Sequence, residues 1–250
     1  MKAMILAAGL GARLRPLTND RPKALVEIGG HTLLEITLAR LRYFGVREVI
    51  VNVHHFADMI VEYLHANSNF GMRVEISREP VLLDTGGGLK NASGFFLEFG
   101  VGQDESFILH NVDIVSTIDI GNMVRFHAAQ GALATIAVQN RPTSRYLLFD
   151  ENDQLCGRRN DRIGKLEMAR PALEVKALAY ACIQVISPRL FSEMDENGAF
   201  PIFDSYLRLA GEGERFVAFR ADECYWRDLG RQESIGQATQ DMLDGKFSIP

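Results

Sequence analysis

The regular alternation of apolar runs with helical patterns is the feature that most constrains the fold of this chain. Strands are predicted over residues 3–7, 48–53, 72–77, 107–110 and 132–138, and helices over residues 32–44, 57–66, 86–99 and 120–130. Strands that alternate with helices in this way form parallel sheets covered on both faces. The pattern therefore predicts a Rossmann-like three-layer α/β sandwich with a mostly parallel, mixed sheet.

The second half of the chain is less regular. Strands are predicted over residues 145–150 and 177–186, a polar loop over 160–171, and helices over 202–210 and 233–243. No internal repeat or clear linker interrupts the sequence, so a single domain over 1–250 is expected. Its predicted parts are a core over 1–140, a small appended lobe over about 141–225, and a final segment over 226–250.

Composition excludes several classes of function. The 250 residues carry a net charge of −5 without a basic stripe, which argues against nucleic acid as a partner. No apolar run approaches the roughly 20 residues that cross a bilayer. The cysteines, Cys156, Cys182 and Cys224, are too widely spaced for a disulfide framework or a zinc site. A cytoplasmic monomer or small homo-oligomer is expected.

A glycine-rich segment follows the first predicted strand. It lacks the third glycine of the dinucleotide fingerprint, because position 14 is Leu14, and it does not match the P-loop pattern. Gly9 and Gly11 still allow backbone N–H groups to approach an anion closely. The alternative is a strand–turn–helix junction with solvated basic residues.

Three cations in the same segment favour phosphate binding over that alternative. Arg13 and Arg15 offer planar sets of donors that suit phosphate oxygens, and Lys23 follows Pro22 as a compact charge. The segment is therefore predicted to bind phosphate.

Carboxylates occur at two further places that can serve the same chemistry. Asn111 and Asp113 directly follow a predicted strand, as Gly9 does. Because ligands of open α/β sheets bind beyond the carboxyl ends of the strands, Gly9 and Asp113 are expected to face one crevice. Asp228 lies 115 residues further along the chain, so only the fold could bring it there.

Several motifs resemble those of the sugar-1-phosphate nucleotidyltransferases. LAAGLGARLRPLT at 6–18 and RPKALV at 21–26 resemble the family pattern L-A-A-G-x-G-x-R-[LM]-x-P-L-T…P-K, and WRDLG at 226–230 resembles W-x-D-[VLI]-G. The resemblance continues at NVHH, 52–55, and at LDTGGG, 83–88. The short members of the family look most similar, of the N-acetylmuramate-1-phosphate uridylyltransferase or mannose-1-phosphate guanylyltransferase type.

The resemblance implies a role for each matching residue. Arg13 and Lys23 would be catalytic, holding the triphosphate and the α-phosphate region, and Asp113 and Asp228 would bind Mg²⁺. The remaining positions would contact the nucleotide: Ala7, Ala8, Gly9, Gly11, Arg15, Glu79, Thr85, Gly86, Gly87 and Asn111.

The implied reaction joins a nucleoside triphosphate, UTP being favoured, to a sugar 1-phosphate and releases pyrophosphate, for polysaccharide precursors. GTP with mannose 1-phosphate and CTP with phosphocholine are alternatives, as is an inactive regulatory module that binds nucleotide sugars. The family's E-K-P motif for the acceptor is missing. Four basic residues are unranked substitutes for its lysine: Arg158, Arg159, Lys165 and Lys176. The segment TSRY at 143–146, which contains Arg145, is another candidate, with the entry to a strand as the alternative.

Overall fold

Strands and helices alternate along the first half of the chain, as the sequence predicts. The computed structural model describes residues 1–98 and 105–250, so the predicted helix end at Phe99 lies outside the described residues. The strands are β1 Lys2–Leu6, β2 Glu27–Ile28, β3 His31–Thr32, β4 Glu48–Val53, β5 Arg73–Arg78, β6 Phe107–Asn111, β7 Ile114–Ser116, β8 Ala134–Gln139, β9 Arg145–Phe149, β10 Leu155–Asn160, β11 Lys165–Met168, β12 Lys176–Ile186, β13 Phe216–Arg220 and β14 Trp226–Asp228. The helices are α1 Leu33–Tyr43, α2 Ala57–Ala66, α3 Asp84–Asn91, α4 Ser93–Phe96, α5 Ile120–Gln130, α6 Leu190–Glu193, α7 Ile202–Gly211 and α8 Gln232–Leu243.

The chain forms two compact units that interleave along the sequence. The first unit comprises Met1–Leu82, Leu109–Ile118 and Cys224–Pro250, and the second comprises Leu83–Ile108 and Asp119–Glu223. The last three residues of β6 therefore belong to the first unit. The single-domain boundaries expected from the sequence stay a prediction.

A parallel sheet forms the centre of the first unit. Its strand order is β6-β1-β4-β5, and β4 pairs in parallel with both β1 and β5, with Met4 opposite Ile50. Ala3, Met4 and Ile5 of β1 and the apolar residues of β4 are buried, as expected of strands covered on both faces. Helix α1 starts where the Thr32 hydroxyl accepts the Glu35 N–H, which caps its first turn. The carboxyl ends of β1 and β6 lie together, because the Val112 N–H donates to the Leu6 carbonyl.

The second unit contains a mixed sheet. Strands β11, β10, β9, β12 and β8 follow one another in antiparallel pairs, and β13 adds to β8 in parallel. Three stacked rings extend its core: Phe96, Phe107 and Phe191. Antiparallel pairing dominates here because short turns connect β9 to β10 and β10 to β11.

Three local predictions are wrong. The polar loop expected over 160–171 contains β11, a strand whose alternation of charged and apolar residues covers only four positions. The helix expected over 86–99 begins earlier, at Asp84, and is interrupted at Ala92, where ψ is 1°. Strands β10, β13 and β14 were not predicted. Partners far along the sequence, β8 and β7, stabilise β13 and β14, whereas β10 pairs with its neighbours β9 and β11 and carries the polar run GRRN at 157–160. In the described residues no helix has the length and apolar character needed to cross a membrane.

Candidate nucleotide and metal site

The glycine-rich segment forms a tight loop directly after β1. Gly11 adopts φ +61°, and its carbonyl accepts the Thr18 hydroxyl at 2.9 Å. A Cβ placed on Gly11 would lie 3.0 Å from Thr18 Cγ2 and 3.2 Å from Lys23 Cβ. Glycine is therefore required here both by the left-handed backbone and by the close approach of Thr18 and Lys23. Ala7 and Ala8 are buried, whereas Gly9 is exposed.

The loop delivers Lys23 to the carboxyl end of β6. Lys23 Nζ forms an ion pair with Asp113 Oδ2, and both side chains are at most 15% exposed. Asp113 lies between β6 and β7, two residues after Asn111, which is half-buried at the end of its strand. Gly9, Lys23 and Asp113 thus belong to one edge of the first unit, as the sequence predicts.

Strand β14 brings the distant aspartate to this edge. It pairs antiparallel with β7, and the Leu229 N–H donates to the Asp113 carbonyl at 2.8 Å. Burial raises the pKa of the Asp228 carboxyl, and the neighbouring negative charge of Asp113 raises it further. The Gly230 N–H donates to Asp228 Oδ1 at 2.7 Å and fixes that carboxylate. The two aspartates therefore share one site.

Arg13 lies next to Asp228, and Gly230 makes room for it. A Cβ placed on Gly230 would lie 2.7 Å from Arg13 Nη2 and 2.9 Å from Asp228 Oδ1. Arg15 belongs to the same loop, and its side chain is exposed. The backbone carbonyl of Arg15 accepts a hydrogen bond from Gln232 Nε2 at the start of α8. Two hydrogen bonds therefore fix the loop: the Thr18 hydroxyl donates to the Gly11 carbonyl within it, and Gln232 of α8 donates to the Arg15 carbonyl.

A buried polar network supports the first residues of the loop. Asn52 Oδ1 accepts the Ala7 N–H at 2.7 Å, and Asn52 Nδ2 donates to Glu79 Oε1 at 2.7 Å. The Glu79 carbonyl lies 2.7 Å from His54 Nδ1. No role for Asn52 follows from the sequence alone. The sequence did contain one signal for such a role: Asn52 is a polar residue near the end of the apolar run of β4, and β4 pairs with β1, the strand that precedes the loop.

The segment at Thr85 lies in the second unit and is part of α3. The N–H groups of Gly86 and Gly87 both donate to the Phe200 carbonyl, at 2.9 and 3.3 Å, and the Thr85 hydroxyl accepts the Ile202 N–H. A Cβ on Gly87 would lie 2.2 Å from the Gly198 carbonyl oxygen. Both glycines lie within the first turns of α3, which begins at Asp84, two residues before the predicted start of the helix. The close approach they permit is to backbone of the same unit, and their contact with a nucleotide stays a prediction.

Comparison with known proteins identifies the family. The family model described as nucleotidyl transferase matches residues 2–245. The chain belongs to the nucleotidyl transferase family. It is 34% identical over 233 residues to an N-acetylmuramate alpha-1-phosphate uridylyltransferase of Caulobacter vibrioides, covering 91% of each chain.

Two further relatives of this nucleotidyl transferase broaden the comparison. A mannose-1-phosphate guanylyltransferase catalytic subunit beta of Dictyostelium discoideum is 32% identical over 94% of this chain, which spans 62% of that relative. A putative glucose-1-phosphate thymidylyltransferase of Bacillus anthracis has a solved structure with a TM-score of 0.80 at 19% identity, covering 99% of this chain and 97% of that one. The predicted α/β class with a mixed sheet flanked by helices is confirmed, as are the family and the enzyme class.

The carboxylate pair of this nucleotidyl transferase fits a hard divalent cation. Asp113 and Asp228 supply oxygen ligands, and burial together with the charge of Asp113 raises the pKa of Asp228, so a cation beside the pair would stabilise its ionised form. Within residues 1–98 and 105–250, no third His, Cys, Asp or Glu joins them in a metal-binding cluster. Mg²⁺ is usually bound in this way, by one or two carboxylates completed by waters and substrate phosphates.

A separate cavity in the second unit is rich in cations and rings. It has a volume of about 410 Å³ and lies beside β9, β10 and the start of α7. Arg158 is paired with Glu167 and Asp204, whereas the Arg145 side chain has no ion pair among the described residues. The other lining residues with polar or aromatic side chains are Tyr146, Arg159, Asn160, Lys165, Tyr180 and Phe203.

Proposed function

We propose that this protein transfers a nucleotidyl group from UTP to a sugar 1-phosphate, giving a UDP-sugar and pyrophosphate. The observation that carries the proposal is the convergence of Arg13 and Lys23 with Asp113 and Asp228 at the end of β1. Two cations beside two carboxylates suit a triphosphate that arrives with its own metal ion. UTP is favoured because the Caulobacter relative is named a uridylyltransferase and matches over most of both chains.

The reaction needs positioning and charge neutralisation more than it needs a base. A phosphate oxygen of the acceptor attacks the α-phosphorus, the bond to the β-phosphate bridging oxygen breaks, and pyrophosphate leaves with that electron pair. The attacking phosphate is already ionised, so no side chain has to remove a proton. Arg13 and Lys23 offset the charge of the phosphates, and Asp113 orients Lys23. Mg²⁺ bound by Asp113 and Asp228 would neutralise phosphate charge and favour in-line geometry.

Guanylyl transfer from GTP is the second candidate. It is supported by the mannose-1-phosphate guanylyltransferase relative, which is 32% identical to this chain. The two reactions share every residue of the proposed site and differ in the base. The Asn52–Glu79 network, which fixes the backbone at Ala7, is where the first unit would position a base.

A pyrophosphate-release screen tests the proposal. UTP, GTP, CTP and dTTP are each combined with a panel of sugar 1-phosphates and with phosphocholine, with and without Mg²⁺. We expect release only with Mg²⁺, and fastest with UTP. Fastest release with GTP would select the second candidate. Silence across the panel would support the inactive regulatory module instead.

We further propose that the cavity of the second unit binds the acceptor through Arg145. Its guanidinium has no ion pair among the described residues, and rings of Tyr146 and Tyr180 beside it suit a sugar. Arg145→Ala should raise KM for the sugar phosphate about tenfold with little change in KM for UTP. Lys176→Ala is the matched control, because Lys176 of the same unit is already paired with Asp153. Equal effects of the two variants would contradict this assignment.

A further inference from the structure

The sheet of the second unit has an open edge at β11. This strand pairs with β10, and no other strand of the described residues lies on its outer side. The Ala169 N–H donates inward to the Cys156 carbonyl at 2.8 Å. Because inward and outward backbone groups alternate along an antiparallel strand, Leu166 and Met168 direct their N–H and C=O groups outward. The edge is therefore available for hydrogen bonding to another strand.

Exposed apolar side chains lie on this edge strand. Leu166 is 61% and Met168 44% exposed, and both project from the same face of β11. Ile163, in the turn before β11, is also exposed. Exposed apolar side chains on an unpaired edge strand mark an interaction surface.

The charges of β11 are complementary to those of its own copy. Lys165 and Glu167 project from the opposite face to Leu166, one on each side of it. In an antiparallel pair of two β11 strands with Leu166 at the centre, Lys165 of each copy lies opposite Glu167 of the other. Within one copy Glu167 already pairs with Lys165 and Arg158, so the dimer would extend an existing cluster of opposite charges across the axis instead of placing like charges together.

We propose that two copies of this chain associate through β11, antiparallel, with Leu166 facing Leu166 across a two-fold axis. Leu166 has outward backbone groups, so the central pair exchanges two hydrogen bonds. The two Leu166 and two Met168 side chains then cover one another on one face, and two Lys165–Glu167 pairs form on the other. The neighbouring register, centred on Glu167, would place two glutamates directly opposite each other and is disfavoured.

The size of the contact sets the expected strength. A four-residue strand with a few apolar neighbours buries less area than a stable interface needs, which is about 1,200 Å² or more in total. We therefore expect a dimer that dissociates on dilution. Its formation should leave the tertiary structure of each copy unchanged, because β11 is already paired with β10.

Sedimentation velocity of the full chain over a range from about 1 to 300 µM tests the proposal. The wild type should shift from monomer to dimer across this range. Leu166→Asp places two carboxylates at the two-fold axis and should sediment as a monomer throughout. Leu243→Asp is the matched control, because Leu243 lies in the first unit and is 77% exposed. This variant should dimerise as the wild type does. Lys165→Glu should also weaken the dimer, because it would face Glu167 of the second copy.

Disulfide trapping tests the register. Under mild oxidation Leu166→Cys should form a disulfide with its copy, identified by mass spectrometry of the linked peptides, whereas Leu243→Cys should not. A wild type that remains monomeric at every concentration would overturn the proposal. So would a Leu166→Asp variant that is folded by circular dichroism and dimerises normally. Crosslinking of Leu166→Cys no faster than of Leu243→Cys would overturn the register.

Discussion

Replacing Gly230 by alanine should disable the site without unfolding the protein. The new Cβ would lie 2.7 Å from Arg13 Nη2 and 2.9 Å from Asp228 Oδ1. Ordinary contact begins at 3.4 Å, so the guanidinium must move by about 0.7 Å and the Asp228 carboxylate by about 0.5 Å. The end of an arginine side chain moves easily, and Gly230 does not have a positive φ. The free energy of unfolding should therefore change by less than about 0.5 kcal/mol.

Catalysis should respond much more strongly than stability. Misplacing a charged group by close to 1 Å costs up to about 100-fold in rate, so we expect kcat/KM to fall about 10- to 100-fold. This corresponds to about 1.4–2.7 kcal/mol of transition-state stabilisation. The assay is Mg²⁺-dependent pyrophosphate release, with thermal unfolding measured in parallel. Gly236→Ala is the matched control, because a Cβ on Gly236 in α8 meets nothing within 4 Å.

A double-mutant cycle separates this explanation from a general disturbance. If Gly230→Ala acts by displacing Arg13, adding it to Arg13→Ala should cost no further activity. Full activity of Gly230→Ala would refute the role given to the Arg13 position. If the losses of activity in Gly230→Ala and Arg13→Ala simply add in the double mutant, the substitution at Gly230 does not act by displacing Arg13.

Three further predictions concern metal binding, the buried network and pH. Asp113→Asn and Asp228→Asn should each lower Mg²⁺-dependent turnover by about 100-fold or more, in protein whose melting temperature shows that it is folded; normal turnover would remove that residue from the metal site. Glu79→Ala should lower the free energy of unfolding by about 1–3 kcal/mol, because Asn52 Nδ2 would remain buried without this acceptor. Urea titrations measure this change, and Glu79→Gln, which keeps an acceptor oxygen, should retain most of the stability. Burial lowers the pKa of His127 from 6.5 to about 4, so the unfolded chain takes up its proton first as the pH falls. Up to about 3 kcal/mol of the free energy of unfolding, present above pH 6.5, should therefore be lost between pH 6.5 and 4. A His127→Gln variant whose free energy of unfolding has the same pH dependence would contradict this.

The sequence identifies the parts of this protein whose structure is determined locally. The loop between β1 and Lys23 could be predicted because Gly9 and Gly11 permit backbone conformations that other residues avoid, and Pro22 restricts the backbone before Lys23. The alternation of apolar runs likewise predicts the parallel sheet of the first unit. The carboxyl-end rule for such sheets places Asp113 beside the loop.

Features that depend on distant partners could not be read in this way. Asn52 connects Ala7 to Glu79. The three residues come together only because β4, which carries Asn52, pairs with β1 before Ala7 and with β5 before Glu79. The family resemblance implies nucleotide contacts for Gly86 and Gly87, whereas the bonding of their N–H groups to Phe200, more than 100 residues away, is not visible in the sequence. The position of Asp228 next to Asp113 depends on β14, a three-residue strand without a periodic pattern of its own.

The most direct measurement of the central claim is a phosphorus NMR time course of the full chain with UTP, a sugar 1-phosphate and Mg²⁺. We expect equal amounts of pyrophosphate and a nucleoside diphosphate sugar, and a strong reduction of both in Asp228→Asn. Pyrophosphate together with free UMP would indicate hydrolysis instead of transfer. No change in any of the UTP, GTP, CTP and dTTP spectra, or an Asp228→Asn variant as active as the wild type, would contradict the account.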